Sequence, residues 1–512
     1  MQASTRVVET LHGSTADIDA DLALDEEALL GDPVAPVVPP PPGNAVARRR
    51  VPQRAIEMVG VVLGIGIITA VARGTDLSND EFWSLASGQW MIAHHAFMGL
   101  DPFSYTESHR RWVTDEWGSE LALAGLFRAT GAMAYSLYAI VLGGLSLITT
   151  AAYARSLGAR GGRVAAIVIV LAVGISGTVA GDRGLDFSLV WLPLELLVLT
   201  KGRADPRWLC ALPLLCLLWV NTHGSILLGL VVLAVELGWS LARPSFVQRI
   251  GGVHQSGHTG PLAVALLASA VASCITPYGP GLLVYDVAVS RNSQIAQYIV
   301  EWNSPNFHSF MELLAYAIPL AVLVACVVTR RLLLLELSLG ALLFVEALQA
   351  QRFAVYLMVI AAGVAATLPA RAPWGTTARR WAGAAMVALG IAVVAVPGVP
   401  AGQVASSQPV AAFDYLGTHP GRIFTGYTWG DYSITRHRAT FVDGRTDLFE
   451  GRVLSEFIAI SKVTANPDPV LSEYHVSYVV WPPGTPLALF LSHDPRWHVV
   501  DRTSVALVFA RR

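Results

Sequence analysis

Asp80 and Glu81 stand side by side just after the first long apolar run of the chain, about residues 56–72, within the polar segment 75–83. A carboxylate within hydrogen-bond reach of a hydroxyl can take its proton while the hydroxyl oxygen forms a new bond. Carboxylates held where a span leaves the bilayer are costly to keep there, which marks them for chemistry at the lipid surface. The plainer reading is a solvated helix start, a common place for acids. Asp115, Glu116 and Trp117 repeat the acidic–aromatic pairing farther along the same loop. Such a pair binds a sugar well, the carboxylates bonding its hydroxyls and the indole face covering its C–H surface. The carboxylates also leave room for a divalent cation, Mg or Mn, although carboxylates alone are a weak metal signal.

A second set carries positive charge. Arg183 and His223 fall in short turns between apolar runs, Arg352 stands at the outer start of another run, and Glu301 lies in a further polar outer loop. Guanidinium groups in such places can grip phosphate oxygens in pairs. The competing reading is a snorkelling or loop charge for the arginines and a structural hydrogen-bond partner for His223. Near the C-terminus, Asp443, Arg445 and Asp447 follow a short β-type run. They can form a sugar or acceptor site at a strand end, or an Asp–Arg network that only holds a turn.

The elements that must position these residues are set by composition. Of 512 residues, 54% are hydrophobic and 14% charged, with a net charge of −2, which excludes an ordinary soluble enzyme and a nucleic-acid partner. Apolar runs recur near 56–73, 132–153, 164–180, 187–200, 208–221, 225–242, 261–275, 311–329, 332–349, 353–370 and 381–399. They predict a polytopic α-helical membrane protein with about eleven transmembrane helices, several shorter than the ~20 residues that an isolated span needs. Arginines cluster on alternate connections (48–54, 155–163, 203–207, 243–249, 330–331 and 371–380), placing those ends and the N-terminus in the cytoplasm. Residues 1–54, acidic, then Pro-rich, then basic, read as a disordered cytoplasmic tail without a signal peptide. The four cysteines lie in apolar runs and read as small buried hydrophobes.

Residues 55–400 therefore form the transmembrane domain, with a long first outer loop at 74–131, and 401–512 a small extracytoplasmic α/β domain. In that domain 422–425, 439–442, 476–481 and 504–510 read as strands, and 453–463 as a helix. Residues 88–95 read as a helix along the membrane interface.

With an acidic pair opening the first outer loop, a polytopic core and an outer C-terminal domain, the chain resembles the GT-C superfamily of membrane glycosyltransferases. It is most similar to the protein mannosyltransferase and aminoarabinose transferase branch. Asp80 to Gly88, Asp101 to Thr106, Glu116-Trp117 and Val442 to Arg445 look like a widespread bacterial group of that type. The resemblance implies transfer of a sugar from a polyprenyl-phosphate donor to a glycan, lipid or protein acceptor on the outer face of a bacterial cytoplasmic membrane. It implies Asp80 as base, with Glu81 beside it. Two other classes fit the same sequence: a transporter of lipid-linked glycans, and a catalytically silent glycan-binding or assembly subunit of an envelope complex. An internal repeat, which would favour the transporter, is not evident.

Overall fold

Long apolar stretches set the first layer of structure. The computed structural model describes residues 52–77, 80–181, 184–250, 258–292, 299–369 and 403–512. The tail before them, the run at 381–399 with its arginines, and Arg183 lie outside these residues. The first half holds α1 (Gln53–Gly74), α2 (Asp80–His94), α3 (Trp117–Thr130), α4 (Met133–Ser156), α5 (Gly162–Val179), α6 (Leu185–Gly202) and α7 (Leu212–Val220). It continues with α8 (Ile226–Leu241), α9 (Pro244–Arg249), α10 (Thr259–Ala272), α11 (Gly281–Ser290), α12 (Phe310–Val328), α13 (Leu334–Gln349) and α14 (Ala354–Thr367).

Among the described residues three helices, α1, α4 and α5, are long and apolar enough to cross a membrane, in place of the eleven expected. The reason is length and charge. Helices α8 and α14 have 16 and 14 residues, which at 1.5 Å per residue fall short of a hydrocarbon layer about 30 Å thick. Helix α6 reaches 18 residues but carries Asp186, Glu195 and Lys201. Helix α1 packs on α5 through Gly60, where an added Cβ would lie 2.5 Å from Ala165, and on both α4 and α5 through Gly64, where it would lie 2.7 Å from Leu147 and 3.3 Å from Val168. Small residues four apart permit that approach, which matters where lipid supplies no hydrophobic drive between helices. At the end of the bundle where α1 and α5 begin, Arg155 pairs with Glu57, and Arg203 grips Glu236 through two bonds of 2.8 and 2.9 Å. Cys210 is exposed there, not buried as its apolar setting implied.

The C-terminal region is a four-stranded sheet, β1 (Arg422–Thr425), β2 (Val476–Trp481), β3 (Trp497–Arg502) and β4 (Leu507–Arg511), in the order β1-β2-β4-β3. Strands β1 and β2 are parallel and the other pairs antiparallel. A parallel pair needs a long crossover, supplied here by α16 (Tyr427–Thr435), α17 (Arg452–Lys462) and α18 (Asp468–Glu473); α15 (Val410–Leu416) and α19 (Pro486–His493) flank the sheet. The helix expected at 453–463 is α17. Residues 439–442 are not a sheet strand. Thr440 instead bridges to Ser104 of the first loop, its N–H donating to Phe103 O at 3.0 Å and its carbonyl accepting from Tyr105 N at 3.1 Å.

The first loop and the sheet region share their cores. Met91, Met98 and Trp112 pack with Phe424, Phe441, Phe449 and Trp481, while Phe82, Leu85 and Leu123 pack with Phe413, Tyr432 and Val508. Of the stretch 88–95, residues 88–94 belong to α2, whose buried face includes Gly88 and Met91, and His95 follows it in a left-handed turn. A Cβ on Gly88 would sit 2.1 Å from the Glu120 carbonyl oxygen, so α2 and α3 touch backbone to backbone. Gly88→Val is expected to separate them at a cost of about 1–3 kcal/mol, read as a lowered thermal midpoint of the detergent-solubilised protein. An unchanged midpoint would mean that the α2–α3 contact is dispensable.

Candidate functional site

Arg445 is the anchor around which the polar groups gather. Its guanidinium bonds Asp443 twice, Nε to Oδ1 at 2.8 Å and Nη2 to Oδ2 at 2.7 Å, and reaches Asp101 Oδ1 through Nη1 at 2.7 Å. All three side chains are buried. Asp101 also accepts from the N–H groups of Phe103 and Ser104, and the Trp112 ring lies 4.4 Å below the guanidinium. Asp443 and Arg445 thus face one another and the first loop, the arrangement of a turn-holding network. The segment 443–447 that they fix carries polar groups on two sides.

On one side is Asp80, at the start of α2 and half-buried, accepting from the Trp83 indole N–H at 3.2 Å. Beside it lies Asp431 of α16, whose Oδ1 accepts from Gly444 N–H at 2.6 Å while Oδ2 has no hydrogen-bond partner. A Cβ on Gly444 would lie 2.8 Å from Asp431 and 3.1 Å from Asp80. Both carboxylates therefore close over this glycine. Burial, with Asp443 and Asp80 near, pushes Asp431 well above the usual carboxylate range. Glu81 is buried in α2.

On the other side Asp447 accepts a short hydrogen bond from the Tyr285 hydroxyl of α11. Asp115 faces the same space. Burial first, then the charge of Asp447, raise it to about 7, although Arg352 opposes the shift. Glu120, buried in α3 with Glu116 and Asp115 near, is raised as well. Glu116 is held by Gly184 N–H at 3.3 Å and by His223, whose Nε2 lies 3.3 Å from Glu116 Oε1. His223 Nδ1 accepts from Ser225 N–H at 3.0 Å, so its proton sits on Nε2 and points at Glu116. Burial and the Arg352 charge lower His223 to about 3, keeping it neutral. Asp286 of α11 is buried nearby, with Oδ1 2.8 Å from where a Gly224 Cβ would stand and Oδ2 lacking a hydrogen-bond partner.

The remaining candidates sit at the rim. Arg352, half-buried just before α14, lies 4.5 Å over the Trp302 ring, next to Glu301. Trp117 donates its indole N–H to Asn221 at 3.0 Å and meets Phe97 edge-on, which ties the first loop to the α7–α8 turn. Asp115, Glu116, His223, Arg352 and Asp447 are thus brought to one place, and Asp80 to the far side of segment 443–447. Asp286 and Tyr285 were not singled out from the sequence, and Asp431 stood out only as one member of the polar and aromatic segment 426–432. A lone acid inside the apolar run 281–290 was the available signal for Asp286; Asp431 becomes visible only once α16 is laid against α2. Among the described residues no three His, Cys, Asp or Glu side chains converge as metal ligands. Asp447 is engaged by Tyr285 and Glu116 by His223, so neither carboxylate is free to serve as a metal ligand as placed.

The fold defined by these elements is similar to that of solved archaeal oligosaccharyltransferases. It is similar to the oligosaccharyltransferase AglB of Archaeoglobus fulgidus in complex with an inhibitory peptide and a dolichol-phosphate, with a TM-score of 0.55 at 10% identity over 84% of this chain and 69% of that one. The Archaeoglobus fulgidus oligosaccharyltransferase tethered with an acceptor peptide containing the NVT sequon gives 0.58 at 10% identity over 84% and 68%, and its apo form 0.53 at 12% over 84% and 69%. No protein-family model and no curated protein matches the chain. At these identities the likeness is one of fold.

Removing Arg445 leaves two buried carboxylates facing each other. Arg445→Met is expected to cost about 3–5 kcal/mol, measured as a shift in the thermal unfolding of the purified protein. A melting curve like that of the parent would show that the triad does not hold the loop to the sheet region.

Proposed function

We propose that this protein is a membrane glycosyltransferase that moves a sugar from a polyprenyl-phosphate donor to a hydroxyl or amide acceptor of an envelope glycan, lipid or protein. The observation that carries the reading is the gathering of Asp115, Glu116 and Asp447 beside Arg352 and His223, at the junction of the first loop and the sheet region. Oriented by its arginines, that junction faces the outside of a cytoplasmic membrane, and the donor lipid lies in the bilayer with its phosphate at the surface.

In the proposed step an acceptor oxygen or nitrogen attacks the anomeric carbon as the bond from that carbon to the phosphate oxygen breaks. A single displacement inverts the anomeric centre. The acceptor proton passes to a carboxylate, and the departing lipid phosphate keeps the bonding electron pair. Arg352 neutralises that charge in a setting where water screens it weakly. A phosphate would be repelled by so many ionised acids; the proton retained by Glu120 reduces the repulsion. Asp115, with its affinity for a proton near neutrality, is suited to gain and lose one in each turnover. His223 keeps Glu116 pointed into the space as a neutral donor. Asp80, which the family resemblance implies as base, holds the opposite side of segment 443–447 with Asp431. Arg352 and Asp447 stand with Asp115 and not with Asp80, which favours Asp115 as base and leaves Asp80 to orient the acceptor.

Parallel substitutions decide between them. With a polyprenyl-phosphate sugar and no ion gradient, Asp115→Asn is expected to lower kcat about 10²–10⁴-fold, while Asp80→Asn mainly raises the acceptor KM. The reverse pattern would return the base role to Asp80. Unaltered donor turnover in both variants would remove the site from the chemistry.

The rate should also depend on pH with a defined sign. A base must be ionised, and Asp115 is raised to about 7, so kcat is expected to climb as pH rises through about 7. Asp115→Glu should displace that limb. A profile flat from pH 5 to 8 in the parent protein would contradict the assignment.

A further inference from the structure

At the end of the bundle away from the site, Arg163, Arg330 and Arg331 border one cavity of about 440 Å³. They come from different elements: Arg163 from the first turn of α5, and Arg330 and Arg331 from the link between α12 and α13. Leu157, Leu333 and Leu368 supply apolar wall. The positions are fixed by backbone. Arg163 Nη1 donates to Ala366 O at 2.9 Å, and Arg331 N–H donates to Cys326 O at 2.9 Å. Arg330 occupies a left-handed conformation with φ of 53°, a place that ordinarily favours glycine.

Among the described residues the charges around this cavity are unbalanced. Elsewhere at the same end, Arg155 is answered by Glu57 and Arg203 by Glu236. Among the described residues no carboxylate pairs with Arg163, Arg330 or Arg331, and none lines the cavity. Three guanidinium groups around one space repel each other unless an anion enters it. Their forked N–H groups match phosphate oxygens, and the leucines beside them match the glycerol and first methylenes of a lipid.

We propose that this cavity binds a phosphate anion, borne by the headgroup of an acidic lipid or free in solution, at the cytoplasmic surface of the membrane. The site is separate from the one that holds Asp115: α14 runs between them, with Arg352 before its first residue and Ala366 near its last. Fourteen residues of helix place the two ends about 21 Å apart.

The test uses the full chain in detergent, with dioleoyl phosphatidylglycerol, dioleoyl phosphatidylcholine and inorganic phosphate as separate probes, read by native mass spectrometry and thermal shift. Arg330→Gln/Arg331→Gln is compared with Arg207→Gln/Arg243→Gln, which removes equal charge from exposed positions at the same end. The parent and the second variant are expected to retain phosphatidylglycerol over phosphatidylcholine, and the first variant to lose on the order of tenfold in that preference. Stabilisation by inorganic phosphate that competes with phosphatidylglycerol, and is lost in the first variant alone, would assign the site to a soluble anion. Equal retention of every probe by both variants and the parent would overturn the proposal. So would equal losses in the two variants, since they would show general surface charge at work.

Discussion

The buried guanidinium of Arg445 is the constraint on which the rest of the arrangement depends. A charge taken out of water is tolerated only where opposite charges and hydrogen bonds surround it, and here Asp443 and Asp101 do so from two distant parts of the chain. Satisfying that one cation forces the first loop against the sheet region. Around the resulting contact the two share apolar cores, and Thr440 hydrogen-bonds with Phe103 and Tyr105. Because the anchor lies inside segment 443–447, its neighbours Gly444 and Asp447 are delivered to Asp80 on one side and to Tyr285 on the other.

Several buried carboxylates collect at this contact. Asp431, Asp286 and Glu120 are buried, each with at least one oxygen that has no hydrogen-bond partner, and a polar atom so placed is destabilising unless it carries a proton or meets a ligand. That is the behaviour of a site that trades stability for function. The proposed reaction uses it: protonated acids admit a phosphate, and an ionised one receives the acceptor proton. Neutral His223 and the stacked Arg352 keep the geometry fixed while those protons move.

Much of this was legible in the sequence. Acidic–aromatic pairs marked the first loop as the place to look for a site, and the turn at 443–447 was visible as Asp, Gly and Arg after a β-type run. Helix α17 followed from spacing alone. The number of spans was overestimated because apolar runs such as 208–221 were read as continuous, whereas a 3-10 turn at Pro206–Ala211 precedes the short α7. Residues 439–442 carry a strand pattern, yet their partner is the first loop, and pairing across more than 300 positions leaves no local trace. Asp431 was hidden for a similar reason. Its segment is dense in polar and aromatic residues, and it forms a helix because α2 supplies the surface on which Trp429 and Tyr432 are buried.

The central claim is that a lipid-linked sugar is bound and cleaved at the contact between the first loop and the sheet region. The most direct measurement is an experimental structure of the full chain incubated with a polyprenyl-phosphate sugar. The account predicts density for the lipid phosphate beside Arg352, with the sugar between Asp115 and Asp447. A closed site there, its carboxylates paired with the protein's own groups while the lipid is absent or bound elsewhere, would contradict it and favour a silent glycan-binding or assembly subunit.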